Sequence, residues 1–520
     1  MWLSAESTHK AQEIQNMIKQ QKTFAIGFGI AFVVMLVLYF VVVAPLLEEE
    51  PAETVALETV EGEEVGSNSR YLMFPQVERS GVQSIEVHNE YGGYTFYRDS
   101  SDNFVLKGYE GMAYDQELFA SFVVSAGYTL AMMKITDDAT PEQMQEYGLD
   151  NPQAYWILTT TEGDVHQVNV GDILVTEGGY YCSYEGRDTV YILSTTLADT
   201  MLQPVEKMIT PLLTAGMSQN NYFEADNFTI WHGEDLFLRL VNKEESEKSN
   251  PDAIVESKMT YPAPYVPNTN LYYEILYNFM ALQGTETVKI GPSEEDLEKY
   301  GLANPAYTIS YTFQEIPFYI FVSELQKDGT YYAVSNLYGY QLVAKVDAAM
   351  LGFVDYGLFK WISEYPFQAY VTSVDTMTVI SGDGELNASF KLTHGTNEEG
   401  NATLEVDCSD GQHIDNNNID NFRQFYKTLL SVILQEYTPL SEEEKTALTS
   451  NEDNLLLTFS YTTLNGETTE FKFYQYTTRR AFVTVNGVGE FYCYVDLMDK
   501  IISDTEKVLV GMDINSYGKN

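Results

Sequence analysis

The sequence predicts an α+β protein: three related repeats of antiparallel β-hairpins packed with helices, preceded by one transmembrane helix. Three observations lead there. The segment Thr23 to Leu47 carries no formal charge in a chain that is otherwise acidic and polar. The hexapeptide Tyr147-Gly148-Leu149-Asp150-Asn151-Pro152 returns one long period later as Tyr300-Gly301-Leu302-Ala303-Asn304-Pro305, and self-similarity over such a distance marks duplication of a whole structural unit. Around these echoes, runs that alternate apolar and polar residues across glycine turns are followed by apolar residues at steps of three and four.

At about 1.5 Å per residue, a helix over 23–47 would exceed the roughly 30 Å hydrocarbon thickness of a bilayer. A cleaved leader has an apolar core of only about 7–15 residues and ends at a small-residue site, whereas this segment ends in Pro45-Leu46-Leu47. The expectation is a retained anchor. Lys10, Lys19 and Lys22 precede it, and Glu48, Glu49, Glu50, Glu53, Glu58, Glu61, Glu63 and Glu64 follow. Because Lys and Arg stay on the cytoplasmic side, residues 1–22 are read as a cytoplasmic tail, 23–47 as the membrane span in contact with lipid, and 48–70 as an acidic linker. The bulk of the chain is then extracytoplasmic.

Apolar residues make up 44% of the chain and aromatic ones 13%, enough to build cores. A net charge of -47 repels phosphate backbones, so nucleic acid is excluded as a partner. Cys182, Cys408 and Cys493 form no CxxC or CxxH pair and give no disulfide framework.

The repeats are read as 71–220, 221–368 and a diverged 369–520. Each opens with a hairpin: Ile85 to Tyr97 across Gly92-Gly93, Phe228 to Leu238 across Gly233, and Met377 to Phe390 across Gly382-Asp383-Gly384. An amphipathic helix follows, with Leu118, Phe122, Ala126 and Leu130 on its face in the first repeat. The second has Leu271, Ile275, Phe279 and Leu282; the third has Ile419, Phe422, Tyr426, Leu430 and Ile433. A short helix then starts at Thr140-Pro141-Glu142, at Pro292-Ser293-Glu294 and at Ser441-Glu442-Glu443, the first two ending at the repeated Tyr-Gly-Leu. Two more hairpins follow, clearest at Asn465-Gly466 and Asn486-Gly487, and each repeat closes on a helical segment. In this register Cys182 falls opposite Ala333 and Val483, a strand site for small apolar side chains, which reads as a packed thiol rather than a reactive one.

The YGL-x-NP element at 147–152 is followed by Gly171-Asp172, Gly178-Gly179-Tyr180-Tyr181 and Asp188-Thr189-Val190-Tyr191. Together with the single apolar N-terminal segment, this pattern resembles the bacterial domain-of-unknown-function family 4340. The resemblance is good over the first repeat, partial over the second and weak over the third. Members are often encoded beside ABC-type transporter components and gliding-motility-like auxiliary proteins. The resemblance therefore implies an accessory subunit outside the cytoplasm, with ABC-type transporter subunits as protein partners, and it carries no enzymatic residues over.

The residues themselves offer little chemistry. His9, His88, His166, His232, His394 and His413 occur singly, without HExxH or HxH spacing. There is no GxSxG elbow, P-loop or strand-linked GxGxxG. The acidic stretch Asp407 to Asp420 lacks the ligand order of a calcium loop. The chain is accordingly read as a non-enzyme without cofactor or metal. The largest departure among the repeats lies at Val241 to Pro267, where a charged run precedes Tyr261-Pro262-Ala263-Pro264-Tyr265-Val266-Pro267. Proline spacing preorders such a segment and tyrosine offers contact area at low entropic cost, so Tyr261, Pro262, Pro264, Tyr265 and Pro267 are the candidate partner contacts. The expected role is a non-catalytic, membrane-anchored accessory or assembly component. The alternative is a cell-surface binding module for envelope glycan or another ligand.

Overall fold

The computed structural model describes residues 58–66, 70–176, 178–248 and 254–514. The chain divides into two compact units. Of the described residues, the smaller holds those from 58 to 77 with Gly127–Pro152 and Val168–Ala198; the larger holds Glu78–Ala126, Gln153–Gln167 and those from Asp199 on.

The first repeat contributes β1 (Glu64–Val65), β2 (Tyr71–Leu72), β3 (Val82–Asn89), β4 (Gly92–Arg98), β5 (Phe104–Leu106) and helix α1 (Gln116–Gly127). It continues with β6 (Leu130–Ala131), β7 (Met133–Thr136), α2 (Pro141–Glu146), β8 (Ala154–Thr160), β9 (Val165–Ile173), β10 (Gly179–Tyr184), β11 (Val190–Ser194) and α3 (Thr195–Met201). The second holds β12 (Asp226–His232), β13 (Asp235–Asn242), β14 (Ser257–Tyr261), α4 (Thr269–Asn278), β15 (Glu286–Ile290) and α5 (Glu294–Lys299). After these come β16 (Tyr307–Phe313), β17 (Ile316–Val322), β18 (Thr330–Ser335), β19 (Leu342–Asp347), α6 (Ala348–Leu351) and α7 (Leu358–Trp361). The third holds β20 (Val374–Ser381), β21 (Asn387–Thr396), β22 (Ala402–Cys408), β23 (His413–Ile414), α8 (Asp420–Leu430) and α9 (Glu442–Thr449). It ends with β24 (Leu455–Thr463), β25 (Thr468–Gln475), β26 (Arg480–Val485), β27 (Val488–Tyr494) and α10 (Val495–Leu509).

The predicted fold class needs correction. Strand accounts for 38% of the structure and helix for 25%, and the hairpins are joined into extended antiparallel sheets. The second repeat is one eight-stranded sheet in the order β14-β13-β12-β16-β17-β18-β19-β15. In the first repeat the larger unit contains the corresponding run β5-β4-β3-β8, and the smaller contains β9 (from Val168), β10, β11 and β7 in the corresponding order. The third repeat runs β23-β22-β21-β20-β24-β25-β26-β27. Among the described residues it has no edge strand matching β7 and β15, and a single bridge, Gln435 to Tyr492, stands in that place. The transmembrane helix expected at 23–47 lies outside the described residues, and among the described residues no helix is long and apolar enough to cross a membrane. Among the described residues the fold is therefore a set of antiparallel sheets with helices between their strands.

The echoing hexapeptide owes its recurrence to a helix terminus. Thr140 and Gln143 form a reciprocal capping box at the start of α2, and Ser293 with Asp296 and Ser441 with Glu444 do the same for α5 and α9. At the far end Gly148 and Gly301 adopt φ of 68° and 69°, a left-handed turn that glycine enters without a Cβ clash. The turn lets the Leu149 and Leu302 amides reach back to the Met144 and Leu297 carbonyls, at 2.8 and 2.7 Å. Leu149 is thereby delivered into a cluster with Ala139 and Val190, and Leu302 into one with Val334 and Val343. Tyr147 stacks on Tyr181 at 4.3 Å, and Tyr300 packs on Tyr332 at 4.8 Å. The third repeat lost this glycine; α9 ends at Ser450 in ordinary right-handed geometry, and Tyr474, Phe482 and Tyr492 fill its cluster.

In the larger unit each first hairpin meets its helix through aromatic rings. Phe96 contacts Phe119 and Phe122, Phe228 contacts Tyr272, and Phe390 contacts Phe422 and Phe425. Full burial of one such side chain stabilises by about 1.5–3 kcal/mol. The buried face of α1 is Phe119, Phe122, Val123 and Ala126, whereas Leu118 is exposed and Leu130 lies in β6. The first hairpin turns at Glu90-Tyr91, since Asn89 pairs with Gly92; the two glycines begin the return strand. Asn486-Gly487 does form a two-residue turn, with φ of 49° and 83° and Val485 paired to Val488.

A lead-in segment enters every repeat by pairing just after its first helix. Tyr71 pairs with Ala131, Leu212 with Gln283, and the Leu434 amide donates to the Glu364 carbonyl at 2.7 Å. In the second and third repeats these lead-ins lie before the boundaries expected at 221 and 369. In the first, the stretch expected as acidic linker already contains β1, which pairs Glu64 with Leu72.

Candidate functional site: a strap and a cleft in the second repeat

The candidate contact segment begins where β14 pairs with β13, Arg239 opposite Tyr261. Upstream, Lys258 binds Glu247 at 2.5 Å and Glu467 of the third repeat at 3.1 Å. Burial pulls the Lys258 pKa down, but the two carboxylates outweigh it and leave the ammonium above its ordinary value.

From Tyr261 the chain becomes a strap. Tyr261 and Pro264 are exposed, Pro262 is half-buried, and Ala263, Tyr265 and Pro267 are buried. The Tyr265 ring meets the edge of Phe491 at 5.4 Å. Burial, with the negative Glu490 nearby, pushes its phenol well above the ordinary pKa. Beyond it, Val266 accepts from the Ser363 amide at 2.7 Å and Pro267 bridges to Ile362. Asn268 then fixes the exit. Its amide donates to the Trp361 carbonyl at 2.8 Å, its Nδ2 donates to the Lys360 carbonyl at 3.1 Å, and its Oδ1 caps α4 by accepting from the Leu271 amide at 3.3 Å. Of the five candidate residues, the structure thus gives Tyr265 and Pro267 to packing and leaves Tyr261 and Pro264 on the surface.

Past the strap, Pro267–Asn270 face Phe359–Gln368 across an open cleft of about 440 Å³. One wall is the capped start of α4; the other is α7 and the connector into the third repeat. Phe359 is held from behind by Phe491 at 5.4 Å, and Gln368 Nε2 donates to Ser363 Oγ at 2.5 Å. Sequence reasoning reached the near wall through its prolines. It missed the far wall, because 359–368 carries no motif and becomes a wall only through its bonds to Val266 and Asn268.

The remaining candidates are structural. In the acidic stretch, Asp407 binds His413 at 2.7 Å, Asp410 accepts from the Gln412 amide, and Asp415 accepts from the Asn417 and Asn418 amides. Among the described residues no three His, Cys, Asp or Glu side chains are grouped to hold a metal. His88 stacks on Tyr155 and bonds Glu86, His232 bonds the Val354 carbonyl, and His394 the Val374 carbonyl. All three cysteines are buried and free; burial pushes the Cys408 thiol to about 11, Cys493 to about 12 and Cys182 higher still. Thiolate chemistry is thereby suppressed.

Sequence reasoning also missed a buried charge cluster in the smaller unit. Glu63, with no exposed side-chain surface, binds Lys134 at 2.7 Å and accepts from the Tyr191 hydroxyl and from the Val60 amide at 2.9 Å. Lys134 also binds Asp137 at 2.7 Å, donates to the Glu58 carbonyl at 3.1 Å and lies 4.2 Å from the Tyr71 ring centroid. Nothing in the sequence distinguishes Glu63 from the glutamates around it; its burial just before β1 does.

No curated protein and no solved structure matches the chain. One family model does, over a span that begins in β5 and ends at the Asn-Pro after α5, so that it takes in both copies of the Tyr-Gly-Leu turn. Residues 105–305 match the model described as Domain of unknown function (DUF4340), the family indicated by the hexapeptide and the Gly-Gly-Tyr-Tyr strand.

Proposed function

We propose that this protein is a non-catalytic assembly component that works outside the cytoplasm, held to membrane lipid through the apolar segment 23–47 and associated with subunits of an ABC-type transporter. The observation that carries the reading is the juxtaposition in the sequence of an uncharged stretch, flanked by lysines on one side and glutamates on the other, with a body of strongly negative charge. The family resemblance supports the transporter association by analogy. Repetition supports an assembly role, since related sheets multiply the surface open to partners. Tyr261 and Pro264, the exposed residues of the strap, are the contacts assigned to the partner.

The test is photo-crosslinking in intact membranes. A benzophenone amino acid placed at Tyr261 or Pro264 should yield covalent adducts containing a transporter permease or its companion subunits. Adducts that repeatedly contain no transporter subunit would refute the association.

A further inference from the structure

We propose that the cleft between the start of α4 and the α7 connector binds a neutral saccharide chain. The proposal goes beyond the assembly role and stands or falls separately from it.

The charged insertion before the strap sets the second repeat apart, whereas the backbone frame of the cleft recurs in the first repeat, where the Asp115 amide donates to the Met208 carbonyl and the Thr210 amide to that of Ala113. In the second repeat this frame lies where the chain passes into the third. A volume of about 440 Å³ lies within the usual range of roughly 300–1,000 Å³ for ligand pockets.

The chemistry of the walls selects the ligand class. Phe359 and Tyr365 offer ring surface, the latter 42% exposed, and aromatic rings accept the apolar faces of pyranose rings. Thr269, Asn270, Lys360 and Glu364 line the same space, and none of their side chains makes a hydrogen bond among the described residues. A hydroxyl both donates and accepts, and a carboxamide beside a hydroxyl, an ammonium and a carboxylate can satisfy both roles. The frame behind these groups is already locked by Asn268 and by the Gln368 to Ser363 bond, so little ordering accompanies binding. Charge excludes the anionic members of the class. Lys360 and Glu364 offset each other locally, and the chain's net charge of -47 repels sulfated or phosphorylated glycans.

The experiment uses the full chain in lipid nanodiscs free of glycoside detergents, which would compete. Chitotetraose and maltotetraose, each at about 1 mM, are the probes in saturation-transfer NMR, with dextran sulfate as the anionic control. At least one neutral probe should bind, with Tyr365→Ala and Asn270→Ala each weakening it about tenfold or more, a loss of about 1.4 kcal/mol, and Tyr370→Ala leaving it unchanged. Tyr365, Asn270 and Tyr370 are exposed, so these variants keep the fold. No binding of either neutral probe to the unaltered protein, binding that the two cleft variants retain, or a preference for dextran sulfate would each overturn the proposal.

Discussion

Replacing Lys134 by Met should release the segment 58–66 from the body of the smaller unit. The Glu63 side chain has no exposed surface and that of Lys134 has 7%, so Lys134→Met keeps the stem over Tyr71 but leaves the carboxylate, among the described residues, with the Tyr191 hydroxyl and the Val60 amide as its hydrogen-bond donors. Removing one member of a buried pair costs about 3–5 kcal/mol, because the charge left behind has lost both water and its counterion. That is a factor of hundreds to thousands in the local opening equilibrium. Glu63→Leu with Lys134→Met removes both charges, and the double variant should cost less than the sum of the singles by about 1–3 kcal/mol. Hydrogen exchange of Glu63 and Gly66, whose amides donate to the Val60 and Arg70 carbonyls at 3.1 and 2.8 Å, reports the opening directly. The pH dependence has a fixed sign. Burial pulls the Lys134 pKa down, but Asp137 and Glu63 outweigh it and raise it above the ordinary lysine value. The stabilisation is therefore complete below that ordinary value and declines only as pH rises through the raised one. A single-variant cost under about 0.5 kcal/mol, or strict additivity in the double variant, would refute the reasoning.

Alanine at Gly148 should destabilise more than alanine at Gly301: both positions are left-handed, at about 1–2 kcal/mol each, but a Cβ at Gly148 would sit 2.7 Å from Asp172 Oδ1 whereas at Gly301 the nearest atom is 3.6 Å away. Denaturant melts of the two variants, compared at equal m-value, measure the order. Ser293→Ala and Ser441→Ala should each cost about 1 kcal/mol by opening the capping boxes of α5 and α9, read as faster amide exchange in the first turn of each helix. His413 should titrate by NMR above its ordinary 6.5, because Asp407 hydrogen-bonds and attracts its protonated form. Asp407→Asn should lower that midpoint, and the stabilisation from the pair is present below 6.5 and lost as pH rises through the folded value.

What was legible in the sequence follows from how local the cause is. The Tyr-Gly-Leu turns, the three capping boxes and the Asn486-Gly487 hairpin are fixed by residues within five positions of one another, and each stands where its letters place it. The Gly92-Gly93 turn was misplaced because β4 starts at those glycines, with the reversal carried by Glu90-Tyr91. On the face of α1, Phe122 and Ala126 are buried as expected, but Phe119 takes the place expected of Leu118: both fit the periodicity, and the position of Phe96 decides between them. Fusion of hairpins into eight-stranded sheets depends on pairings such as β12 with β16 and β20 with β24, which join strands far apart in sequence and leave no local mark. The burial of Glu63 and the far wall of the cleft were hidden for the same reason, since their partners Lys134 and Asn268 lie 71 and 92 residues from the positions they bind.

The three native cysteines are buried with suppressed thiols, so single cysteines introduced at Ser4 and at Ser67 can be probed in intact cells with a membrane-impermeant maleimide against a low background. The account predicts labelling at position 67 and none at position 4 until the membrane is opened. Labelling at position 4 without labelling at position 67, or recovery of the full-length protein in the soluble cytosolic fraction, would contradict it.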